Sequence, residues 1–347
     1  MAMEESWGAL SGAIDFAIER VRADPDHLNE REIADGHQYV IRALTAVFDA
    51  TLMLFDPERP SFLPMLESVR YIGAAGPDID YDVAIVTPGI AHRITGARGD
   101  ASYVGITVYG HAGDAGASAI LDSVDVDDLV ASDGSFEFAF EHPEAARVII
   151  RQYFHDRTTQ ARGHWSIERV AETSQHGEAR HLPTEVELAY RLANATQSLR
   201  WSAQLNQMWS PERRATPNEF IRQSADDVVA AIPNPDVSYA FSWWRLGAGE
   251  ALVIDLVPPS TRYWALQICD RWFQCFPDRR SNLNDRQVAR EPDGSVRFVL
   301  AERDPGMSNW VETSGHELGV MFFRWLHADP EVLPTCRVVS IDETHEP

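Results

Sequence analysis

The chain has 347 residues, 44% of them hydrophobic, and a formal net charge of -23. That charge opposes a polyanion, because there is no basic surplus from which nucleic-acid counterions could be released, so no nucleic-acid partner is expected. All 30 basic residues are arginine, which excludes Schiff-base chemistry, pyridoxal phosphate attachment and a phosphate-loop lysine.

The start, MAMEESWGAL, is acidic and lacks the basic and apolar regions of a signal peptide. No apolar run approaches the roughly 20 residues that a membrane helix needs. The expected location is cytoplasmic, with no membrane partner and with oligomerisation left open. Cys269, Cys275 and Cys336 are an odd number without metal-ligand spacing, so they read as reduced buried thiols; no metal and no cofactor is expected.

In chain order, residues 1–60 form an N-terminal helical region. Trp7, Leu10, Ile14, Ala17 and Val21 recur at helical spacing, followed by Ile33, His37, Val40, Leu44, Val47 and Leu52. Asn29 with Glu32 is a capping signal for the second helix. His37 reads as a core histidine rather than a ligand. Residues 61–183 form a first β-unit, with period-two runs such as DVAIV, SYVGITVYG, SFEFAFE and RVIIRQYF. Residues 184–236 are a helical insert. Thr184 with Glu187 caps a helix over 184–209, and Thr216 with Glu219 and Pro217 opens another reaching about Ala231. Residues 237–347 form a second β-unit of runs such as YAFSWWRL, EALVIDLV and GVMFFRWL.

The two β-units read as a degenerate repeat. Tyr103 precedes the Asp133-Gly134-Ser135 turn by 30 positions, and Tyr263 precedes the Asp293-Gly294-Ser295 turn by 30. Both turns lead on to an Arg-aromatic strand holding Arg151 or Arg324, but the second copy carries about 13 more residues around DPGMSNWVETSGH. A long polar connection of this kind is uncommon unless it binds or covers something.

That elaboration supplies the catalytic candidate His316, since imidazole titrates near neutral pH, with Asp270 or Asp304 to orient it. The competing reading is a tight turn in which His316 bonds a local backbone group. Arg271, Trp272, Asn282, Asn284, Asn309, Trp310, Tyr263 and Arg324 are substrate-binding candidates: amides for a hydroxyl or carbonyl, arginines for an anionic group, aromatic rings for an apolar wall. Asx-turns and ion pairs bracing a sheet would use the same residues. A separate Asp125-Val126-Asp127-Asp128 run fits the pattern of protonation-initiated terpene cyclases, with a solvated loop as the alternative.

Tyr263-Trp264, Asp270-Arg271-Trp272, the 293–295 turn, Asn309-Trp310 with Thr313, Gly315 and His316, and Arg324-Trp325 together resemble the bacterial domain of unknown function 1214. The match covers roughly the last 100 residues. The upstream RYIGAAGPDIDY, HRITGARGDASYV and RQYFHD look like the N-terminal region of longer members. This chain departs from them where they read G-A-D-N-P-D: Ala75, Gly76 and Pro77 precede Asp78, so the resemblance carries no role to that loop. It implies a β-rich fold and supplies no catalytic assignment.

The expected fold is α+β, with two related antiparallel β-units of sandwich or jelly-roll type. The expected function is a cytoplasmic enzyme using metal-independent acid/base chemistry, of lyase, isomerase or hydrolase type, on an apolar small molecule bearing a carbonyl, hydroxyl or anionic group. The alternatives are a non-catalytic small-molecule binding module and a cyclase acting through the 125–128 carboxylates.

Overall fold

Two amphipathic segments open the chain as helices, α1 (Met3–Arg22) and α2 (Glu30–Phe48). At the start of α2, Glu32 N donates to Asn29 Oδ1 and Asn29 N to the Glu32 carboxylate, both at 2.9 Å. This reciprocal pair satisfies backbone N–H groups that a helix start leaves over. Leu10, Ala17 and Val21 of α1 and Val40 and Val47 of α2 are buried, whereas Trp7 stays 57% exposed. His37 is half-buried.

The structure is a computed structural model that describes residues 2–24, 29–49, 51, 56, 59–65, 73, 75–112, 118–170, 183–204, 214–223, 233–276, 279–329 and 332–344. The ends of the expected helices at Leu52, Trp209 and Ala231 lie outside the described residues. Among these residues no helix is long and apolar enough to cross a membrane.

The strands follow as β1 (Leu63–Met65), β2 (Ile79–Ile85), β3 (His92–Ala97), β4 (Tyr103–Ala112), β5 (Ser118–Asp125), β6 (Ser135–Phe140), β7 (Arg147–Tyr153) and β8 (His164–Arg169). Helix α3 (Glu185–Ser202) comes next, opened by the expected Thr184–Glu187 box. Then come β9 (Ile221–Arg222), β10 (Val237–Arg245), β11 (Glu250–Leu256), β12 (Trp264–Asp270), β13 (Asn282–Asn284), β14 (Val296–Ala301), β15 (Trp310–Glu312), β16 (Leu318–Leu326) and β17 (Thr335–Ser340).

The chain divides into two compact units. Unit 1 holds Met1–Arg70, Ile79–Gln204 and Ala230–Pro233; unit 2 holds Tyr71–Asp78, Leu205–Val229 and Asn234–Pro347. Helix α3, expected in an insert, therefore groups with unit 1, and residues 71–78, expected in the first β-unit, group with unit 2. The Thr216–Glu219 box does not open a helix. Pro217 and Asn218 form a turn, with Asn218 at φ 66°, and Phe220 leads directly into β9. Asn218 Oδ1 accepts from Arg245 N, and its Nδ2 donates to Arg245 O, both at 2.9 Å. Tying the turn to the end of β10 overrides the local helix signal.

Each unit is a sandwich of two sheets, antiparallel throughout except for the β14–β15 pair. Unit 1 has one sheet in the order β1-β2-β7-β4-β5 and another in the order β6-β3-β8. Val104, Ile106, Val108, Val148 and Ile150 from the first sheet pack with Ile94, Phe136, Phe140 and Ile167 from the second. Unit 2 has β13-β12-β16-β10-β9 and β15-β14-β11-β17, with Trp244, Leu266, Ile268, Phe323 and Trp325 packed with Leu252, Ile254, Phe298 and Leu300.

The repeat is explicit in this topology. Strand order β2-β7-β4-β5 in unit 1 matches β10-β16-β12-β13 in unit 2, and β6-β3-β8 matches β14-β11-β17. The register agrees residue by residue: Tyr81, Arg151 and Gly105 lie side by side, as do Tyr239, Arg324 and Ala265. Both Asp-Gly-Ser turns close identically. Asp133 Oδ1 accepts Ser135 N at 3.0 Å, Asp293 Oδ1 accepts Ser295 N at 2.9 Å, and Gly134 and Gly294 sit at φ 83° and 86°. The elaboration of the second copy adds β15, which runs parallel to β14.

Candidate functional site

Strands β10, β16, β12 and β13 place residues of one parity on the apolar core of unit 2 and residues of the other parity on the opposite face. Cross-strand register turns that second face into a grid. One row reads Tyr239, Arg324, Ala265, Asn284, and the next reads Phe241, Phe322, Gln267, Asn282. Aromatic rings occupy the β10 and β16 side, amides the β12 and β13 side, and a guanidinium stands between them. The Asn-Leu-Asn sequence of β13 puts both amides on this face and Leu283 into the core.

Three donors of this face converge on one oxygen. Asp78 Oδ2 accepts from Tyr263 OH at 3.1 Å, Asn282 Nδ2 at 2.8 Å and Asn284 Nδ2 at 2.9 Å. One O–H and two N–H groups thus share a single carboxylate oxygen as acceptor. Nearby, Ala75 O accepts from Gln267 Nε2 at 2.9 Å and from the Cys275 thiol at 3.1 Å, so residues 75–78 are pinned to the face at two points. Gln267 Oε1 accepts from Arg324 Nη2 at 2.9 Å. The Arg324 guanidinium is 5.1 Å from the Phe322 ring centroid and 5.8 Å from that of Tyr239. Gln267, Asn284, Tyr263 and Arg324 are all buried.

The turn after β12 carries a second group. Asp270 is buried, and its Oδ1 accepts from Trp272 N at 2.8 Å and Gln274 N at 2.9 Å while Oδ2 accepts from Gln274 Nε2 at 2.7 Å. This carboxylate shapes the turn, in which Phe273 adopts φ 59°. Arg271 is buried 5.9 Å from the Trp243 ring and 5.8 Å from that of Trp272. His316 is 8% exposed, and its ring stacks on Phe276 with centroids 5.1 Å apart. Its Nδ1 lies 3.1 Å from Thr313 O. A carbonyl only accepts, so Nδ1 carries a proton in this contact.

Of the sequence candidates, Tyr263, Asn282 and Asn284 come together on Asp78, and Arg324 lies on the same face. Asp270, Arg271, Trp272 and His316 belong to the neighbouring turn and its surroundings. Asp304 does not orient His316: it is exposed, and its Oδ1 accepts from Gly306 N at 2.7 Å in its own turn. Asn309 is a staple, its Oδ1 accepting Ala289 N at 2.7 Å and its Nδ2 donating to Ala289 O at 2.7 Å and Arg297 O at 2.9 Å. The half-buried Trp310 donates Nε1 to Ala301 O at 3.1 Å, and Arg280 Nε donates to Trp310 O at 2.6 Å. The polar elaboration is thus largely occupied in attaching itself to its own sheet. Asp127 and Asp128 are exposed, and Asp125 Oδ1 accepts Asp127 N at 3.0 Å. A cyclase acid requires burial in an apolar cavity, which Asp127 and Asp128 lack. Among the described residues no group of three or more His, Cys, Asp and Glu is arranged to hold a metal ion.

Sequence reasoning missed Asp78, Gln267 and the Ala75 carbonyl. Gln267 is visible as the one amide in the otherwise apolar run 264–269; Asp78 is not, because its partners lie about 200 positions away, at separations of 185, 204 and 206.

Residues 205–341 match a family model described as "Protein of unknown function (DUF1254)". An uncharacterised protein from Burkholderia cenocepacia has the same fold. The two structures align with a TM-score of 0.89 at 24% identity, covering 97% of each chain. The VPA0106 protein from Vibrio parahaemolyticus aligns at 11% identity with a TM-score of 0.49, covering 94% of this chain and 100% of the other. No curated protein matches the chain.

Proposed function

We propose that the protein is a cytoplasmic enzyme of acid/base type that needs no metal, acting on a small, largely apolar molecule with a carbonyl, hydroxyl or anionic group. The observation that carries the reading is the Nδ1 contact of His316 with the Thr313 carbonyl, which places a proton on Nδ1 of a buried imidazole held against Phe276. A backbone carbonyl on one ring nitrogen is a common way to present the other as a base. Arg271 and Arg324, set among aromatic rings, suit a substrate anion, and Asp78 with Tyr263 offers a second proton-transfer pair. The strongly acidic composition supports the absence of a nucleic-acid partner. The resemblance of the C-terminal motifs to the domain of unknown function 1214 stands beside the DUF1254 match within this reading.

The test is mass spectrometry of molecules copurifying with the protein, followed by incubation of each hit and assay for turnover. Loss of turnover by at least roughly 100-fold in His316→Gln, with binding retained, supports the assignment; full turnover in His316→Ala overturns it. A second reading, a binding module without reaction, is favoured by one observation: Tyr263, Asn282 and Asn284 direct their donors to the protein's own Asp78. It predicts that copurifying molecules are recovered unchanged from both wild type and His316→Ala.

A further inference from the structure

Cys269, the sixth residue of β12, and Cys275, just past the turn, face each other across an antiparallel bridge. Asp270 N donates to Gln274 O at 3.0 Å immediately inside that bridge. This makes the cysteine pair a non-hydrogen-bonded one, in which Cα atoms approach to about 4.5 Å and side chains stand closest. That separation falls within the range a disulfide spans, roughly 4.4–6.8 Å between Cα atoms. Both are in the thiol form, both are buried, and both pack in one apolar cluster with Phe241, Trp243 and Phe322. Cys336 is on β17, in the other sheet of the unit.

We propose that Cys269 and Cys275 are a redox modification site: a peroxide-class oxidant converts them to a disulfide and thereby loosens residues 75–78, which carry Asp78. One thiol attacks the peroxide, the O–O bond breaks, water leaves and a sulfenic acid remains; the second thiol then displaces the hydroxyl, forming the S–S bond and a second water. The coupling follows from the Ala75 carbonyl, which accepts from the Cys275 thiol and from Gln267 Nε2. Oxidation removes the thiol proton and with it one of these two donors. Gln267 Nε2 also lies 3.6 Å from Cys269 Sγ, so closure of the sulfurs disturbs the remaining tie. Burial pushes the Cys269 thiol well above the usual thiol range, which keeps the reaction slow and dependent on local opening of the segment.

The experiment treats the full chain with hydrogen peroxide, then denatures it and alkylates it with N-ethylmaleimide. The expected result is one labelled thiol, Cys336, where the untreated protein gives three. Trypsin cuts after Arg271, so peptides 263–271 and 272–279 should run as one species that dithiothreitol separates. Cys275→Ser and Cys269→Ser should each abolish that species; the serine at 275 also keeps a donor for Ala75. Amide hydrogen exchange at Ala75, Gly76 and Asp78 should rise several-fold in the oxidised protein while circular dichroism is unchanged. Three labelled thiols after treatment, a link to Cys336, a disulfide formed only with loss of the circular dichroism signal, or unchanged exchange at those amides would each overturn the proposal.

Discussion

Tyr263 donates its hydroxyl to Asp78 Oδ2 at 3.1 Å across 185 positions of sequence. The tyrosine immediately precedes β12 and is buried, and the aspartate lies in the segment that crosses the second face of the same sheet. Asn282 and Asn284 complete the arrangement on the same oxygen.

Because three donors depend on that oxygen, Asp78→Ala should destabilise the protein by about 2–3 kcal/mol, the scale on which buried donors left without acceptors cost stability. Tyr263→Phe removes one donor only and should cost about 1 kcal/mol. Urea unfolding of the two variants checks the ordering; equal effects would mean that Asp78 is not the hub.

The ring of His316 should be in the Nδ1–H form when neutral, since Thr313 O can only accept. Long-range proton–nitrogen correlation spectra of labelled protein, with His316→Gln to assign the resonance, distinguish the tautomers. An Nε2–H ring would remove the argument for Nε2 as the base.

Asn309→Ala deletes three hydrogen bonds that attach the elaboration to residues 289 and 297. It should lower stability by about 2–3 kcal/mol with the backbone groups of Ala289 and Arg297 losing their partners. Should turnover become measurable, the variant should keep it at temperatures where it stays folded. A specific loss of turnover in fully folded Asn309→Ala would return this residue to the site.

His92, fully buried in unit 1 and stacked on Phe140 with centroids 5.4 Å apart, has its pKa lowered from 6.5 chiefly by burial. The folded state then binds its proton less readily than the unfolded state, so stability is intact above pH 6.5 and declines as pH falls from there towards the folded pKa. Unfolding free energies at pH 7.5 and pH 5.5 should differ in the wild type, and the difference should shrink in His92→Gln. An unchanged pH dependence in that variant would assign the effect elsewhere.

What the sequence by itself determined rests on local, periodic signals. The boxes at Asn29 and Thr184 cap helices because their partners are three residues away. The two β-units and their repeat were legible because period-two runs and the equal spacing from Tyr103 and Tyr263 to the Asp-Gly-Ser turns survive without tertiary information. At Thr216 the same local signal failed, since Asn218 bonds Arg245, 27 positions on. Asn282 and Asn284 are legible as a polar knot and Tyr263 and Arg324 as members of strand-like runs, whereas the elaboration around Asn309 spends its hydrogen bonds on its own sheet. Only the tertiary structure decided where the polar groups meet. Register across β10, β16, β12 and β13 put amides, guanidinium and rings on one face, and residues 75–78 crossed to that face because Gln267 and Cys275 supply donors for a carbonyl that would otherwise be buried without one.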